Sequence, residues 1–449
     1  MAGRFLRGIN TAQAWLESCL LPAGASLLVF VLGLYRLASK SLWFDELATL
    51  TGAGWAGTWL DAVRLPLTIP TTPKPPLSFL VSHAFLVLGD ELFLLRLPAV
   101  LFATLTVPLV FALGKALFCR RVAWIAAILL AMAPLYIRYA QEMRMYAMLT
   151  FLSLLSLYLF WRGIRSTDWR WWPGFAACTI LALYTHLFAI LTLGVMALFA
   201  TWLLVRPQPE HFPFRARHFF FAFLGVLLAY LPLAPFLSQG LLSGEGLGGE
   251  ASARWDMPAL LSALRLFSGG ADLGSVMYVT LLLMAIVLLV ARHERALGLV
   301  VLGITFPTLV ILLAPFGHGV RVRYFLFCLP LYLLLVAYGL CSVSNWLGNW
   351  ASRRSHSAMP RSLTQSIIAF VLAIFLATIG LPSLRAYYAE EKQGWREATE
   401  LALSLAQPED RLLVRHVYHQ VGVRYYASQL ASGRDSVTLP RVEVIPRDW

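Results

Sequence analysis

Charge is scarce in this chain. Of its 449 residues, 13% are Asp, Glu, Lys or Arg, whereas 59% are hydrophobic. Soluble domains carry about 25% charged residues, so a soluble core is excluded. Cysteine is sparse too. Cys19, Cys119, Cys178, Cys328 and Cys341 fall in or beside apolar segments, at spacings that match no metal motif, and a disulfide framework is not expected. No Gly-rich phosphate loop occurs, which removes a nucleotide-sugar site. No Lys/Arg run occurs, which removes nucleic acid as a partner despite a net charge of +13. The alternating strands of about 10 residues that mark a membrane barrel are missing. An internal repeat is missing as well, which weighs against an inverted-repeat transporter.

What remains is a series of apolar runs, most of them about 20 residues long, the length of a membrane-crossing helix. They predict an all-α polytopic membrane protein with spans near 22–38, 93–118, 122–139, 144–162, 172–185, 187–205, 218–237, 275–291, 297–314, 324–342 and 364–382, about eleven in all. The first is read as a retained helix and not a cleaved signal peptide, because 37–40 makes a poor cleavage site and many spans follow. The apolar segment 75–89 is short and opens with Pro75-Pro76, which suits a re-entrant or interfacial helix. Charge parity agrees. With 75–89 not crossing, Arg120/Arg121, Arg162/Arg165/Arg170, Arg292/Arg295 and Arg353/Arg354 all fall on one side, the cytoplasm by the positive-inside rule. The N-terminus is then cytoplasmic and the C-terminus extracytoplasmic, and a bacterial inner (plasma) membrane is expected. The chain divides into a transmembrane part, 1–382, with a first outer loop at 40–92, and a tail, 383–449. The tail carries equal numbers of acidic and basic residues and reads as a small α/β cap. It has a helix at 395–406, a turn at 408–410, a strand at 411–417 and a second strand at 437–439. Residues 240–254, rich in Gly and Ser, read as a loop.

Five polar features gather on the outer side. Asp45 and Glu46 follow Trp43-Phe44 in the first outer loop. A carboxylate held at low dielectric can serve as a general base, and an acidic pair anchoring a loop in water is the bland alternative. Lys74 precedes Pro75-Pro76 at the mouth of the short helix, where an ammonium suits a phosphate; a lysine reaching to lipid headgroups reads equally well. Arg138, Gln141, Glu142, Arg144 and Tyr146 lie between two spans, with Arg138 and Glu142 spaced to pair on a helix. They are either buried functional groups or interfacial anchors. His186 sits at a tight turn and is as readily structural. His318, Arg321 and Arg323 share a short outer loop, where the positive-inside bias disfavours arginine and an anion would explain it. Together a carboxylate pair and several cations occupy one membrane face. Transfer from a lipid phosphate needs that set: cations to stabilise the leaving phosphate and a base to take the acceptor's proton.

The order Phe44-Asp45-Glu46, Lys74-Pro75-Pro76-Leu77 and Leu95-Arg96-Leu97-Pro98 resembles the polyprenyl-phosphate-dependent GT-C glycosyltransferases. The nearest groups are the family 39 protein mannosyltransferases and the bacterial aminoarabinose-type lipid A transferases. The stretches at 139–146, 184–186 and 323–326 fit the same pattern, as do 395–398 and 408–410 in the tail. The resemblance implies a GT-C-like fold and extracytoplasmic catalysis with inversion. It implies Asp45 as base, in the acidic motif with Glu46, and Lys74 on the carrier phosphate. Arg144, Arg321 and Arg323 become phosphate contacts, with Tyr146 and His186 beside them. The lipid A branch usually places a carboxylate before its Lys-Pro-Pro run, where it can help hold a metal. Pro73 stands there in this chain, and no metal site is expected. The chain is also shorter than that branch, with fewer spans. The expected activity is sugar transfer from a polyprenyl-phosphate donor, undecaprenyl or related, to an extracytoplasmic glycan, lipid or protein acceptor; the cofactor is left open. The alternative is a transporter or flippase of a lipid-linked saccharide.

Overall fold

The computed structural model describes residues 12–55, 57–68, 74–205, 214–235, 257–292, 295–313, 321–354, 359–407, 410–431 and 441–444. The expected features at 71–73, 240–254, 318–320, 408–409 and 437–439 lie outside the described residues.

Every apolar run singled out in the sequence is helical. In chain order the helices are α1 (Leu21–Leu34), α2 (Phe44–Gly52), α3 (Trp59–Leu67), α4 (Leu77–Leu86), α5 (Leu92–Leu117), α6 (Arg120–Ala131), α7 (Pro134–Ala140), α8 (Tyr146–Ile164), α9 (Trp171–Thr185), α10 (Ala189–Val205), α11 (Ala216–Tyr230), α12 (Met257–Phe267), α13 (Asp272–Arg292), α14 (Arg295–Leu313), α15 (Leu329–Arg354), α16 (Arg361–Thr378) and α17 (Leu381–Ala389). A π turn, Leu16–Leu20, leads into α1, and a 3-10 stretch, Val322–Cys328, leads into α15. Among the described residues seven helices are long and apolar enough to cross a membrane, or eight with α6 and α7 taken as one span bent by 63°. The bend falls where Pro134 opens α7, since proline cannot extend the helix before it. The sequence reading of about eleven spans is larger by three, because α9 and α10 hold only 15 and 17 residues and the apolar part of α14, Arg295–Val310, is also shorter than a span. At about 1.5 Å per residue they fall short of a bilayer of roughly 30 Å. With 10 residues, α4 is shorter still, as a non-crossing helix must be.

The core runs through α5, α6, α8 and α15, and every residue of α6 from Val122 to Ala131 is buried. Lipid provides no hydrophobic drive between spans, so close approach at small residues holds them together. A Cβ on Gly114 of α5 would lie 2.9 Å from the Ala123 Cα of α6, and one on Gly339 of α15 would collide with the Leu281 carbonyl of α13. Gly339→Ala is expected to cost about 1–3 kcal/mol through overpacking, read as a lowered Tm in detergent. Gly225→Ala, where nothing lies within 4 Å, leaves Tm unchanged. Equal Tm values for the two variants would contradict the close packing of α13 on α15. Apolar side chains such as Phe221, Val276, Val287 and Phe375 are left on the outside, where lipid covers them.

Beyond α17 the chain forms α18 (Trp395–Leu405), β1 (Arg411–Val414), α19 (Val417–Ala431) and β2 (Arg441–Val444). The two strands pair in parallel, Arg411 opposite Arg441. The helix expected at 395–406 and the strand at 411–417 are present, the strand ending three residues early. The α19 helix was not expected. It packs on α2: Tyr426 Oη accepts the Leu42 N–H at 2.6 Å, and Leu47, Leu50, Tyr425 and Tyr426 share one apolar cluster.

Candidate active site

The site is built on the first turn of α2. Adjacent residues on a helix point about 100° apart, so Asp45 and Glu46 cannot face the same way. Glu46 turns inward and is fully buried. Arg96 of α5 donates to it twice, Nε to Oε1 at 2.8 Å and Nη2 to Oε2 at 2.9 Å. The Met143 N–H adds a bond to Oε1 at 2.9 Å, and the Trp43 N–H one to Oε2 at 3.4 Å. Burial alone would raise the Glu46 carboxyl, but Arg96 and Lys392 more than offset it and hold it well below the usual carboxylate range. A carboxylate so occupied is in no position to take a proton from a substrate. The paired-carboxylate expectation is thereby altered: Glu46 is sealed in, and Asp45 alone keeps some exposure, 19% against 0%.

Cations surround Asp45. Arg323, from the 3-10 stretch, places Nη2 2.6 Å from Asp45 Oδ2, and Arg144 places its Nη2 at 3.9 Å. Arg144 also donates through Nη1 to the Asp45 carbonyl at 2.8 Å and to Thr49 Oγ1 at 2.7 Å, which fixes it to α2. Lys74 joins the group, close enough that Arg144, Asp45 and Arg323 all act on its charge. Burial first, and then Arg144, push the Lys74 ammonium down to about 8, with Asp45 opposing. The residues 45, 74, 144 and 323, spread over the sequence, thus meet in one place.

The wall behind them is aromatic. Arg323 lies 5.1 Å over the Trp43 ring and 5.6 Å over Tyr324. Tyr146, the first residue of α8, sits 6.0 Å from Tyr324 and 6.4 Å from His186. His186 caps the end of α9, and its Nδ1 accepts the Phe188 N–H at 3.1 Å. Burial, with Arg144 and Lys74 nearby, pushes the imidazole down to about 3. The ring is therefore neutral, and its proton is assigned to Nε2. Arg321, two residues before Arg323, is exposed instead of facing inward.

Several partners escaped the sequence reading. Arg138 does not pair with Glu142; α7 ends at Ala140, and Arg138 binds Glu390 at 2.7 Å. Glu142 is met by Lys392. Arg96 was noticed only as part of a motif, although a lone arginine within a 26-residue apolar helix is itself a signal of a buried partner. From α19 and the turn before it, His416, Tyr418 and His419 ring Phe44 at 5.3, 5.3 and 5.8 Å, and Tyr418 lies within range of the Asp45 and Arg144 charges. Among the described residues no three His, Cys, Asp or Glu side chains gather as a metal site would require.

Residues 73–238 match the family model of the dolichyl-phosphate-mannose-protein mannosyltransferases. None of the curated proteins matches the chain. Solved structures do. ArnT from Cupriavidus metallidurans in the apo state superposes with a TM-score of 0.61 at 15% identity, over 96% of this chain and 90% of that one. The same protein bound to undecaprenyl phosphate gives 0.59 at 13% identity, over 97% and 86%. The Archaeoglobus fulgidus oligosaccharyltransferase with zinc and sulfate gives 0.57 at 12% identity, over 91% and 61%. The chain is therefore a multi-pass membrane protein with the GT-C fold of those glycosyltransferases, and its residues 73–238 carry the dolichyl-phosphate-mannose-protein mannosyltransferase pattern.

Proposed function

We propose that the chain is a membrane glycosyltransferase that takes its sugar from a polyprenyl-phosphate carrier, on the extracytoplasmic side of a bacterial inner membrane. One observation carries the reading. Arg323 and Arg144 both meet one carboxylate, Asp45, and buried Lys74 stands near enough that the charges of all three act on it. The surplus of positive charge calls for an anion, and two guanidiniums with an ammonium suit a phosphate. Beside Arg144 a narrow cleft runs between α4, α5 and α8, lined by Ser78, Phe79, Phe102, Met145 and Met148. Its lining is largely apolar, as an isoprenyl chain requires, but at about 20 Å³ it admits one water-sized group, so the chain would enter only with α4 and α8 parting. The ArnT structure with undecaprenyl phosphate supports the choice of carrier.

In this reaction an acceptor hydroxyl gives its proton to Asp45 and attacks the anomeric carbon. The bond from that carbon to the phosphate oxygen breaks, and the carrier leaves as its phosphate monoester. Lys74, Arg144 and Arg323 balance the charge that develops on the leaving oxygens. A single displacement inverts the anomeric centre. Arg323 is ion-paired with Asp45 Oδ2, a buried oxygen that no hydrogen bond satisfies among the described residues, so the carboxylate keeps acceptor capacity for the incoming hydroxyl. Glu46 orients the first turn of α2. Neutral His186 offers its Nε2 proton, and exposed Arg321, two residues before Arg323, meets the charged headgroup from outside.

Lys74 sets a pH test. An ammonium pushed down to about 8 is charged below that pH and lost above it. Phosphate favours the charged form, so affinity for undecaprenyl phosphate is full below about pH 7 and weakens as the pH rises past 8. Native mass spectrometry or equilibrium binding in micelles reads it. Lys74→Arg, charged throughout, flattens the profile, and Lys74→Ala weakens binding at every pH. Wild-type and Lys74→Ala proteins that bind the carrier equally would overturn the phosphate site.

A further inference from the structure

Lys392 lies past α17, in the short segment 390–394 that leads to α18. Its ammonium reaches back to lie 3.3 Å from Glu142 Oε1, 3.5 Å from Glu46 Oε2 and 5.8 Å over the Trp43 ring. Both carboxylates are buried, with side-chain exposures of 0% for Glu46 and 4% for Glu142, so water does not stand in for a lost partner. Arg96 gives its Nε and Nη2 to Glu46 and turns Nη1 to the Leu37 and Lys40 carbonyls. Lys392 is then the counterion of Glu142. Two positive and two negative charges close the network at zero.

Both carboxylates sit next to the site. Glu46 follows Asp45 directly, and the Glu142 carbonyl accepts the Arg144 N–H at 2.6 Å. We propose that Lys392 is a positioning residue that holds the Arg144 turn and the start of α2 in register by serving both carboxylates at once, and so ties the phosphate site to the chain beyond the last span. The activity side of this proposal rests on the function proposed above; the charge-balance side does not.

The groups facing Glu142 are Lys392, Glu46, Arg138, Tyr139 and Tyr387, and Arg138 is committed to Glu390. Burial raises the Glu142 carboxyl above its usual range, and Lys392 is the first of the groups that oppose the rise. Without Lys392, Glu142 takes up a proton. At low pH the network is then neutral and the site keeps its shape. Above the new Glu142 pKa an unpaired carboxylate remains and the site opens.

The test compares Lys392→Met with wild type from pH 5.5 to 9, using undecaprenyl phosphate in mixed micelles as probe and Tm as a second readout. The ratio of variant to wild-type affinity is expected near one at the acid end and to fall about tenfold per pH unit above the Glu142 pKa. Tm follows the same limb. Lys392→Met combined with Glu142→Gln removes both charges and flattens the ratio, and Lys392→Arg restores it. A pH-independent ratio for Lys392→Met overturns the proposal, as does a double variant that stays pH-dependent. If Lys392→Met is not recovered folded, the neutral double variant is expected to be, and its loss too would overturn the proposal. Wild type that fails to bind the carrier would refute the phosphate site, while the Tm comparison still decides the role of Lys392.

Discussion

Asp45→Asn is expected to stop sugar transfer, with turnover down by about 100- to 10,000-fold, the range for loss of a positioned general base. Asn matches Asp in size but carries no charge and takes no proton. Arg323 and Arg144, which now share Asp45 Oδ2, lose their anion. Their charge is then left to the phosphate without competition, so affinity for undecaprenyl phosphate is retained or improved. Loss of turnover with binding kept is the signature of a group that works on the transition state. Asp45→Glu recovers little, because one added methylene moves the carboxylate relative to two guanidiniums that are fixed on Thr49 and Trp43. Single-turnover kinetics with a polyprenyl-phosphate sugar separate the two quantities. An Asp45→Asn protein that both binds and turns over normally would remove Asp45 from the chemistry.

Arg96→Leu has the largest expected effect on folding. Arg96 is 1% exposed, and its guanidinium serves Glu46 and the carbonyls of Leu37, Lys40 and Ser41. Taking away one side of a buried pair leaves the other as an unpaired charge, which costs about 3–5 kcal/mol. That is a large part of a typical margin of about 5–15 kcal/mol. The expected outcome is protein that inserts poorly or melts far below wild type. Adding Glu46→Gln to Arg96→Leu removes the stranded charge and returns part of the loss. Recovery stays partial because three carbonyls are still without their donor. Thermal unfolding in detergent measures both variants. An Arg96→Leu protein as stable as wild type would show that the pair is dispensable.

The helices were legible because lipid forces each apolar run into a helix, whatever its neighbours do. That is why all eleven predicted segments are helical, including α9 and α10, which are shorter than a full span. The short α4 was legible from Pro75-Pro76 and its length. The α19 helix was not, since 417–431 is neither apolar throughout nor clearly periodic, and what stabilises it is Tyr425 and Tyr426 packing on α2. Asp45, Lys74, Arg144 and Arg323 were picked out by type and by side of the membrane. Their meeting depends on how α2, α8 and the start of α15 are packed, which no local pattern encodes. Glu46 was taken with Asp45 because the two are adjacent; the onset of α2 at Phe44 separates them by a third of a turn. Arg321 and Arg323 differ for a like reason, with one exposed and the other turned in by the 3-10 stretch. Lys392 had no local signal. In a tail with balanced charge it is one lysine among nine basic residues, and only the fold brings it to Glu142.

The central claim, a cationic pocket built for a carrier phosphate from which a sugar is passed on, is tested most directly in cells lacking this chain. Glycolipids, glycoproteins and polyprenyl-linked sugars are compared by mass spectrometry after complementation with wild type or with Asp45→Asn. The predicted result is that one glycosylated product vanishes, its matching polyprenyl-phosphate sugar accumulates, and wild type but not Asp45→Asn reverses both. An unchanged donor pool and product set, or full restoration by Asp45→Asn, would contradict it.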